Sequence, residues 1–242
     1  MRVEMLNVGW ISSSAAVWRQ GEDPQERIRF PVPAYLIETD SERILLDTGL
    51  NPAAVRDTAG HYGAQTAIME LEQDLDISAQ VDLASLTKVV LTHLHFDHAG
   101  GLALVPPSVP IVLQRREWEG GKDEATIRRN FFFPRDYALE GRRIELVDGD
   151  HDLLGDGSIE LLLTPGHTPG HQSVRLAGTL VLGADVAHFA ATLDDLRFPS
   201  FAEDFDAQAA SAMRLRALRD AGTTVIPGHD PEVLRPGPLV LG

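Results

Sequence analysis

Residues 92 to 101 read THLHFDHAGG and place three of the chain's nine histidines, with an aspartate, inside six positions: His93, His95, Asp97 and His98. Chance delivers H-x-H-x-D-H in roughly one such chain per thousand, so a metal site is the first alternative. A strand running into a loop would let His93 and His95 face one point. Asp97 and His98 would face a second, a few Å away, as the chain curls into a helix. Imidazole and carboxylate without thiolate suit Zn²⁺, Mn²⁺, Fe or Co. Four donors leave two cations under-coordinated, so further ligands must come from elsewhere.

Three residues stand in the same kind of place, each just beyond an apolar run and a glycine: His167 after IELLLTPG, Asp185 after TLVLGA and His229 after TTVIPG. Singly, each could be an ordinary surface or hydrogen-bonded residue; their common placement makes them candidates together. Asp47 in LLDTG follows a buried run and would either hydrogen-bond a ligand or cap a turn. His61 and His151 have no such context and are expected at the surface.

The elements that must position these residues are legible as alternating apolar runs and helical patterns. VPAYLIET (32–39) and RILLDTG (43–49) predict a hairpin. AQTAIMELEQDL (64–75) carries Ala67, Ile68, Leu71 and Leu75 at helical spacing, so an amphipathic helix is expected. LTKVVLT (86–92) is a buried strand, and AGGLALV begins a short helix stopped by Pro106 and Pro107. SIELLLT (158–164) is a strand, HQSVRLAGTLVLGAD a hairpin turning at Ala177-Gly178, and a helix with Met213, Leu215 and Leu218 spans about 203–221 before the strand in TTVIPGHD. Residues 114–145 are irregular, either an inserted lid or a surface connection with Phe131, Phe132 and Phe133 in the core. The hairpins ending at Asp47 and Asp185 form a faint internal repeat, as two sheets packed face to face with helices outside would produce.

The chain has 242 residues, 43% hydrophobic and 24% charged, with a formal charge of -15 and no cysteine. One domain over 1–242 is expected, large enough to bury a proper core. The negative field argues against nucleic acid. Without cysteine there is no disulfide, thiolate ligand or Cys nucleophile, which fits a reducing compartment. The N-terminal MRVEMLNVGWISSS has no signal-like apolar run, and no stretch has the length of a membrane span. A soluble, cytoplasmic protein is expected, as monomer or homodimer.

In this order THLHFDHAGG, TPGHTPGH, LGAD and IPGHD resemble the metallo-β-lactamase superfamily, and their separations are most similar to its N-acyl homoserine lactonases. The resemblance runs from FPVPAYLIETDSERILLDTG to PGHD. It implies an αβ/βα four-layer sandwich, two mixed sheets face to face with helices outside. It also implies two divalent ions, zinc first with Fe, Mn or Co as alternatives. One would be held by His93, His95 and His167, the other by Asp97, His98 and His229, with Asp185 bridging. His171 takes a position that hydrogen-bonds a ligand. Such a pair makes a bridging hydroxide at neutral pH, with Asp97 orienting it, and polarises an ester carbonyl.

One departure is informative. The lactonases it resembles carry Tyr three residues after the bridging Asp, where this chain has His188, which can donate a hydrogen bond or a proton. Opening of an N-acyl homoserine lactone, which silences a bacterial signal, is the leading expectation, with Trp18, Phe131, Phe132, Phe133 and Phe189 as candidate acyl-chain contacts. Phosphotriesterase or aryl esterase activity is the alternative favoured by His188. A glyoxalase II-like thioesterase is a lesser alternative, since this chain shows no basic cluster suited to glutathione carboxylates and a long interval from His98 to His167. A flavodiiron-type reductase would want a carboxylate near His95, and a tRNA-processing nuclease a basic face.

Overall fold

The computed structural model describes residues 1–241. Among them one sheet contains β1 (Arg2–Ser14), β2 (Arg27–Glu38), β3 (Arg43–Leu46), β4 (Glu70–Glu72), β5 (Lys88–Val90), β6 (Ile111–Gln114), β7 (Ile144–Val147) and β13 (Gly237–Leu239). The second contains β8 (His151–Asp152), β9 (Ile159–Leu163), β10 (Gln172–Leu176), β11 (Leu180–Leu182) and β12 (Thr224–Ile226). Both are mixed: β2 runs antiparallel to β3 and β3 parallel to β5, as β10 runs antiparallel to β11 and β11 parallel to β12. The repeat suspected around Asp47 and Asp185 is therefore a repeat of topology. Ala177 and Gly178 both have positive φ (49° and 71°), the backbone of a tight hairpin turn.

Alternation along the strands builds the layers, because successive side chains point to opposite faces. Ile44 and Leu46 join Val3, Met5, Ile37 and Val90 in a core shared with Leu161, Val174 and Leu182 of the other sheet. Leu45 and Val89 face the opposite way, into a larger core under the helices and loops of the first sheet. Val181 packs outward with Ala212 and Leu215 of the helix Phe205–Asp220, whose N-terminal NH of Ala207 is capped by Asp204. The result is the expected four-layer αβ/βα sandwich.

The two sheets are tied at one end by polar groups. Gln172 donates its NH to Thr92 O at 2.9 Å and its side-chain amide to Leu91 O at 2.8 Å. Gln114 then donates to Gln172 Oε1 at 3.0 Å. Every donor loop singled out in the sequence opens at this end.

One expectation about these elements needs correction. Residues 64–75 do not form a helix: a short 3-10 turn at Ala64–Ile68 gives way to β4, which pairs with β1 along Trp10–Ser12. Backbone pairing with an open strand edge outweighs the helical spacing, and of the predicted stripe only Leu71 is buried, while Ile68 and Leu75 are exposed. The helix expected over about 203–221 is present as Phe205–Asp220, with Leu215 buried and Met213 exposed.

The glycines of HAGG have a steric cause. The loop after β3 lies so close to the helix Phe96–Ala99 that Thr48 NH donates to His98 O at 2.7 Å, and a Cβ on Gly101 would stand 2.2 Å from Thr48 O. Gly101→Ala is expected to cost about 1–3 kcal/mol of stability, read from the denaturant midpoint; an unchanged midpoint would contradict this packing.

Candidate metal centre

All seven donors converge, and each is essentially buried: His93, His95, Asp97, His98, His167, Asp185 and His229. The donor atoms of His93, His95, His167 and Asp185 lie within 4.8 Å of one another, as do those of Asp97, His98 and His229. Asp185 faces both groups. Its Oδ2 stands 3.2 Å from His167 Nε2 and 3.7 Å from His93 Nε2, its Oδ1 3.1 Å from His229 Nε2 and 3.4 Å from His98 Nε2. Asp97 Oδ2 lies 3.5 Å from His229 Nε2 and 3.6 Å from His98 Nε2.

The outer nitrogens of four rings are committed as donors, which determines what the inner ones offer. Thr92 gives its hydroxyl hydrogen to Asp47 Oδ2 (2.8 Å) and so accepts from His93 Nδ1 at 3.0 Å. His95 Nε2 donates to Asn130 O at 2.7 Å, His98 Nδ1 to Asp47 Oδ2 at 2.8 Å and His229 Nδ1 to Pro31 O at 2.9 Å. The inner atoms of these rings therefore present lone pairs when neutral. His93 Nε2 and His167 Nε2 stand 3.0 and 2.9 Å from His95 Nδ1. Asp97 Oδ2, His98 Nε2, Asp185 Oδ1 and His229 Nε2 are buried with no hydrogen-bond partner. Lone pairs and carboxylates crowded in this way repel unless positive charge lies among them, so the residues fit a pair of cations.

Charge preferences point the same way. Burial holds His93 and His95 well below the usual imidazole range, as ligands require. Burial also opposes charge on His98 and His229, yet Asp185 and Asp97 outweigh it and raise both. The carboxylates thus pull positive charge to the inner atoms, where a cation would compete with the proton. Burial raises Asp97. It would raise Asp185 too, but His188, His229 and His98 hold that carboxyl well below the usual range.

Backbone geometry brings the donors in. Asp47 itself has φ 59°, and its Oδ1 accepts Thr92 NH at 2.8 Å. Asp47 also hydrogen-bonds His98, one of the candidate donors. His171 does not face the cluster: its Nε2 accepts Asp185 NH at 3.1 Å and its Nδ1 lies 3.0 Å from Thr164 Oγ1. His188 is buried against Trp18, 5.7 Å between ring centroids, with Nε2 3.2 Å from Asp185 Oδ2 and neither ring nitrogen hydrogen-bonded.

A cavity of about 640 Å³, including its open mouth, ends on His95, Asp97 and Asp185. Its walls are apolar, with Trp18, Met69, Phe96, Phe133 and Phe201 inside and the half-exposed Ile68 and Phe131 at the rim. Of the five candidate aromatic contacts, Trp18, Phe131 and Phe133 line this cavity. Phe132 and Phe189 are not on this wall: Phe132 is buried behind His95 at 5.4 Å, and Phe189 packs on Phe30 at 6.4 Å. His61 is half-buried, 3.7 Å from Asp136, and only His151 is at the surface.

Residues 114–145 form the helices Arg115–Gly120, Glu124–Asn130 and Pro134–Tyr137, and they supply what sequence reasoning missed. The Asn130 carbonyl on His95 follows from Phe131 turning left-handed (φ 53°) at the helix end. Glu117 is wholly buried, its carboxyl pushed up to about 7 by burial although three donors hold it. Nothing in the spacing marks a backbone carbonyl or a single glutamate. Asn130 also donates to Glu203 Oε2 at 2.8 Å, and Glu203 NH to His167 O at 3.1 Å, which wires this segment to two donors.

The model of the metallo-beta-lactamase superfamily matches residues 27–229. The N-acyl homoserine lactonase AttM of Azorhizobium caulinodans is 29% identical over 248 residues, covering 96% of this chain and 94% of the relative. AiiA of Bacillus thuringiensis subsp. kurstaki, also named an N-acyl homoserine lactonase, is 29% identical over 222 residues, 86% of this chain and 85% of its own. A solved N-acyl homoserine lactone hydrolase with N-hexanoyl-L-homoserine at its catalytic metal centre shares the fold, with a TM-score of 0.83 at 24% identity over 96% of this chain and 94% of that one.

Because Asp185 NH donates to Nε2, the proton of His171 belongs on Nδ1, and burial, with His167 beside it, pushes this ring down to about 3. Long-range ¹H–¹⁵N correlation at pH 7 is expected to show His171 neutral and Nδ1-protonated; an Nε2-protonated or charged ring would contradict the network.

Proposed function

The chain belongs to the metallo-beta-lactamase superfamily, and we propose that it is a dinuclear metal-dependent hydrolase opening the lactone ring of N-acyl homoserine lactones. The observation that carries this is the floor of the apolar cavity, where the lone pairs of four rings with locked outer nitrogens meet two carboxylates. His93 Nε2, His95 Nδ1 and His167 Nε2 would hold one cation, Asp97, His98 Nε2 and His229 Nε2 the other, and Asp185 both, through Oδ2 and Oδ1. Zinc suits this donor set, with Mn, Fe and Co as alternatives. Such a pair supplies Lewis acidity at an ester carbonyl and lowers the pKa of water from 15.7 towards 7.

The residues do the rest. Asp97, which lines the cavity floor as well as facing His98 and His229, would orient the attacking water and take its proton. Attack forms a C–O bond at the carbonyl, the ring C–O bond breaks, and the departing oxygen needs a hydrogen. The proton taken by Asp97 passes to it, and His188, held neutral beside Asp185 with neither ring nitrogen hydrogen-bonded, would give that oxygen a hydrogen bond. Trp18, Phe133 and Met69 take up the acyl chain and exclude water, in the manner of apolar sites with a few fixed polar groups. The product is an N-acyl homoserine, and the physiological effect is loss of a bacterial signal. No helix among the described residues is long and apolar enough to cross a membrane, and the absence of cysteine supports a cytoplasmic setting.

A second reading, hydrolysis of phosphotriesters or aryl esters, is favoured by one feature: His188 rather than a phenol beside Asp185. A panel of acyl homoserine lactones, paraoxon-like triesters, aryl esters and S-lactoylglutathione separates the readings. On zinc-loaded protein kcat/KM is expected to be highest for the lactones and to rise with acyl length by up to about fourfold per methylene, the equivalent of ~0.8 kcal/mol. A tenfold preference for triesters or aryl esters would overturn the lactonase assignment. Asp185→Ala is expected to lower turnover more than about 100-fold, beyond what loss of a group behind a ligand does, and to leave fewer than two ions per folded chain. Retained turnover with two ions would refute the bridging role.

A further inference from the structure

Glu117 is 0% exposed, and no lysine or arginine is paired with it. Burying a carboxylate is costly unless hydrogen bonds replace its water. Here the replacements come from two loops only. Oε1 accepts the NH of Leu94 at 3.0 Å; Oε2 accepts the Thr168 hydroxyl at 2.9 Å and the Gly170 NH at 2.7 Å. Leu94 separates His93 from His95, and Thr168 follows His167 directly. The approach is backbone to backbone: a Cβ on Gly170 would stand 2.3 Å from Glu117 N. Glu117 hydrogen-bonds neither loop through a donor ring, and among the described residues its carboxylate hydrogen-bonds none of Asp97, His98 and His229.

We propose that Glu117 is a positioning residue for one cation of the pair, fixing the distance between the loop of His93 and His95 and the loop of His167. This rests on the two-cation reading above. A cation held by His93 Nε2, His95 Nδ1 and His167 Nε2 needs these three atoms at one mutual spacing, and they are delivered by segments 72 residues apart in sequence that belong to different sheets. A carboxylate is suited to the task because it accepts from both loops and donates to neither. In Glu117→Gln the amide NH₂ must face at least one of three N–H or O–H donors, so a loop is pushed away while size and shape stay nearly the same.

The consequence is selective. Loss of a group that orients ligands typically lowers metal affinity 10–100-fold, and here the loss falls on one cation. The test is a competitive Zn²⁺ titration against a chromophoric chelator, with wild type, Glu117→Gln, Thr168→Val and His95→Ala. Wild type is expected to take up two ions, and the uptake abolished in His95→Ala identifies the step in question. Glu117→Gln is expected to weaken that step about 10–100-fold and leave the other within threefold. Thr168→Val, which removes one donor at nearly constant volume, weakens the same step by a smaller factor and decides the matter if Glu117→Gln does not fold. Unchanged affinity at that step, or equal weakening of both, overturns the positioning role. A wild type that takes up no second ion overturns the two-cation reading instead.

Discussion

Asp185 is a carboxylate at 1% exposure, with four imidazole nitrogens within 3.4 Å and a fifth at 3.7 Å. Such a group survives in the interior only if positive charge is close on both sides. The surroundings serve that need. Gln208, on the helix Phe205–Asp220, fixes the Asp185 carbonyl at 3.0 Å, and His171 receives its NH. Gly228 lets the His229 loop close in, since a Cβ there would stand 2.7 Å from Asp185 Oδ1. Ala184 accepts a left-handed φ of 46° to turn the carboxylate inward, a strain that the packed loops on either side sustain.

The same need explains why the sandwich is tied so firmly at one end. Donors arrive from loops after β5, β9, β11 and β12, hence from both sheets, and a small relative slide would separate them. Gln172 bonded to Thr92 and Leu91, and Glu117 bonded to Leu94 and Gly170, both bridge this seam. The cavity wall is built from other parts of the chain. Phe131 and Phe133 come from the segment after β6, and Tyr62 stacks on Phe133 at 4.3 Å while its hydroxyl holds the buried Asp136 at 2.8 Å. The wall of the cavity is thus anchored by one hydrogen-bonded carboxylate that takes no part in the donor cluster.

How much of this could be read from the chain depended on the kind of signal. The donors were legible because imidazole and carboxylate at strand ends leave a pattern in residue type as well as spacing, and the repeat of hairpin plus Asp mirrored a real repeat of topology. Asp47 was half-legible: a hydrogen bond to one of the donors was one of its two readings, but that the donor would be His98 could not be read. The segment 64–75 misled because an apolar stripe says nothing about an open strand edge beside it, and pairing with β1 decided its conformation. Phe132 and Phe189 misled because aromatic residues near a motif look alike whether they face a cavity or its back. Glu117 and the Asn130 carbonyl left no trace, since a lone Glu among charged residues and a main-chain oxygen acquire meaning only from what folds against them.

The central claim is that one carboxylate is shared between two cations. Diffraction from crystals grown with zinc, recorded on both sides of the zinc absorption edge, tests it most directly. The expected result is two anomalous peaks about 3.5–4 Å apart with Asp185 between them, Oδ2 towards the ion of His93, His95 and His167 and Oδ1 towards that of Asp97, His98 and His229. A single peak at full zinc occupancy, or two peaks with Asp185 bound to only one, would contradict it.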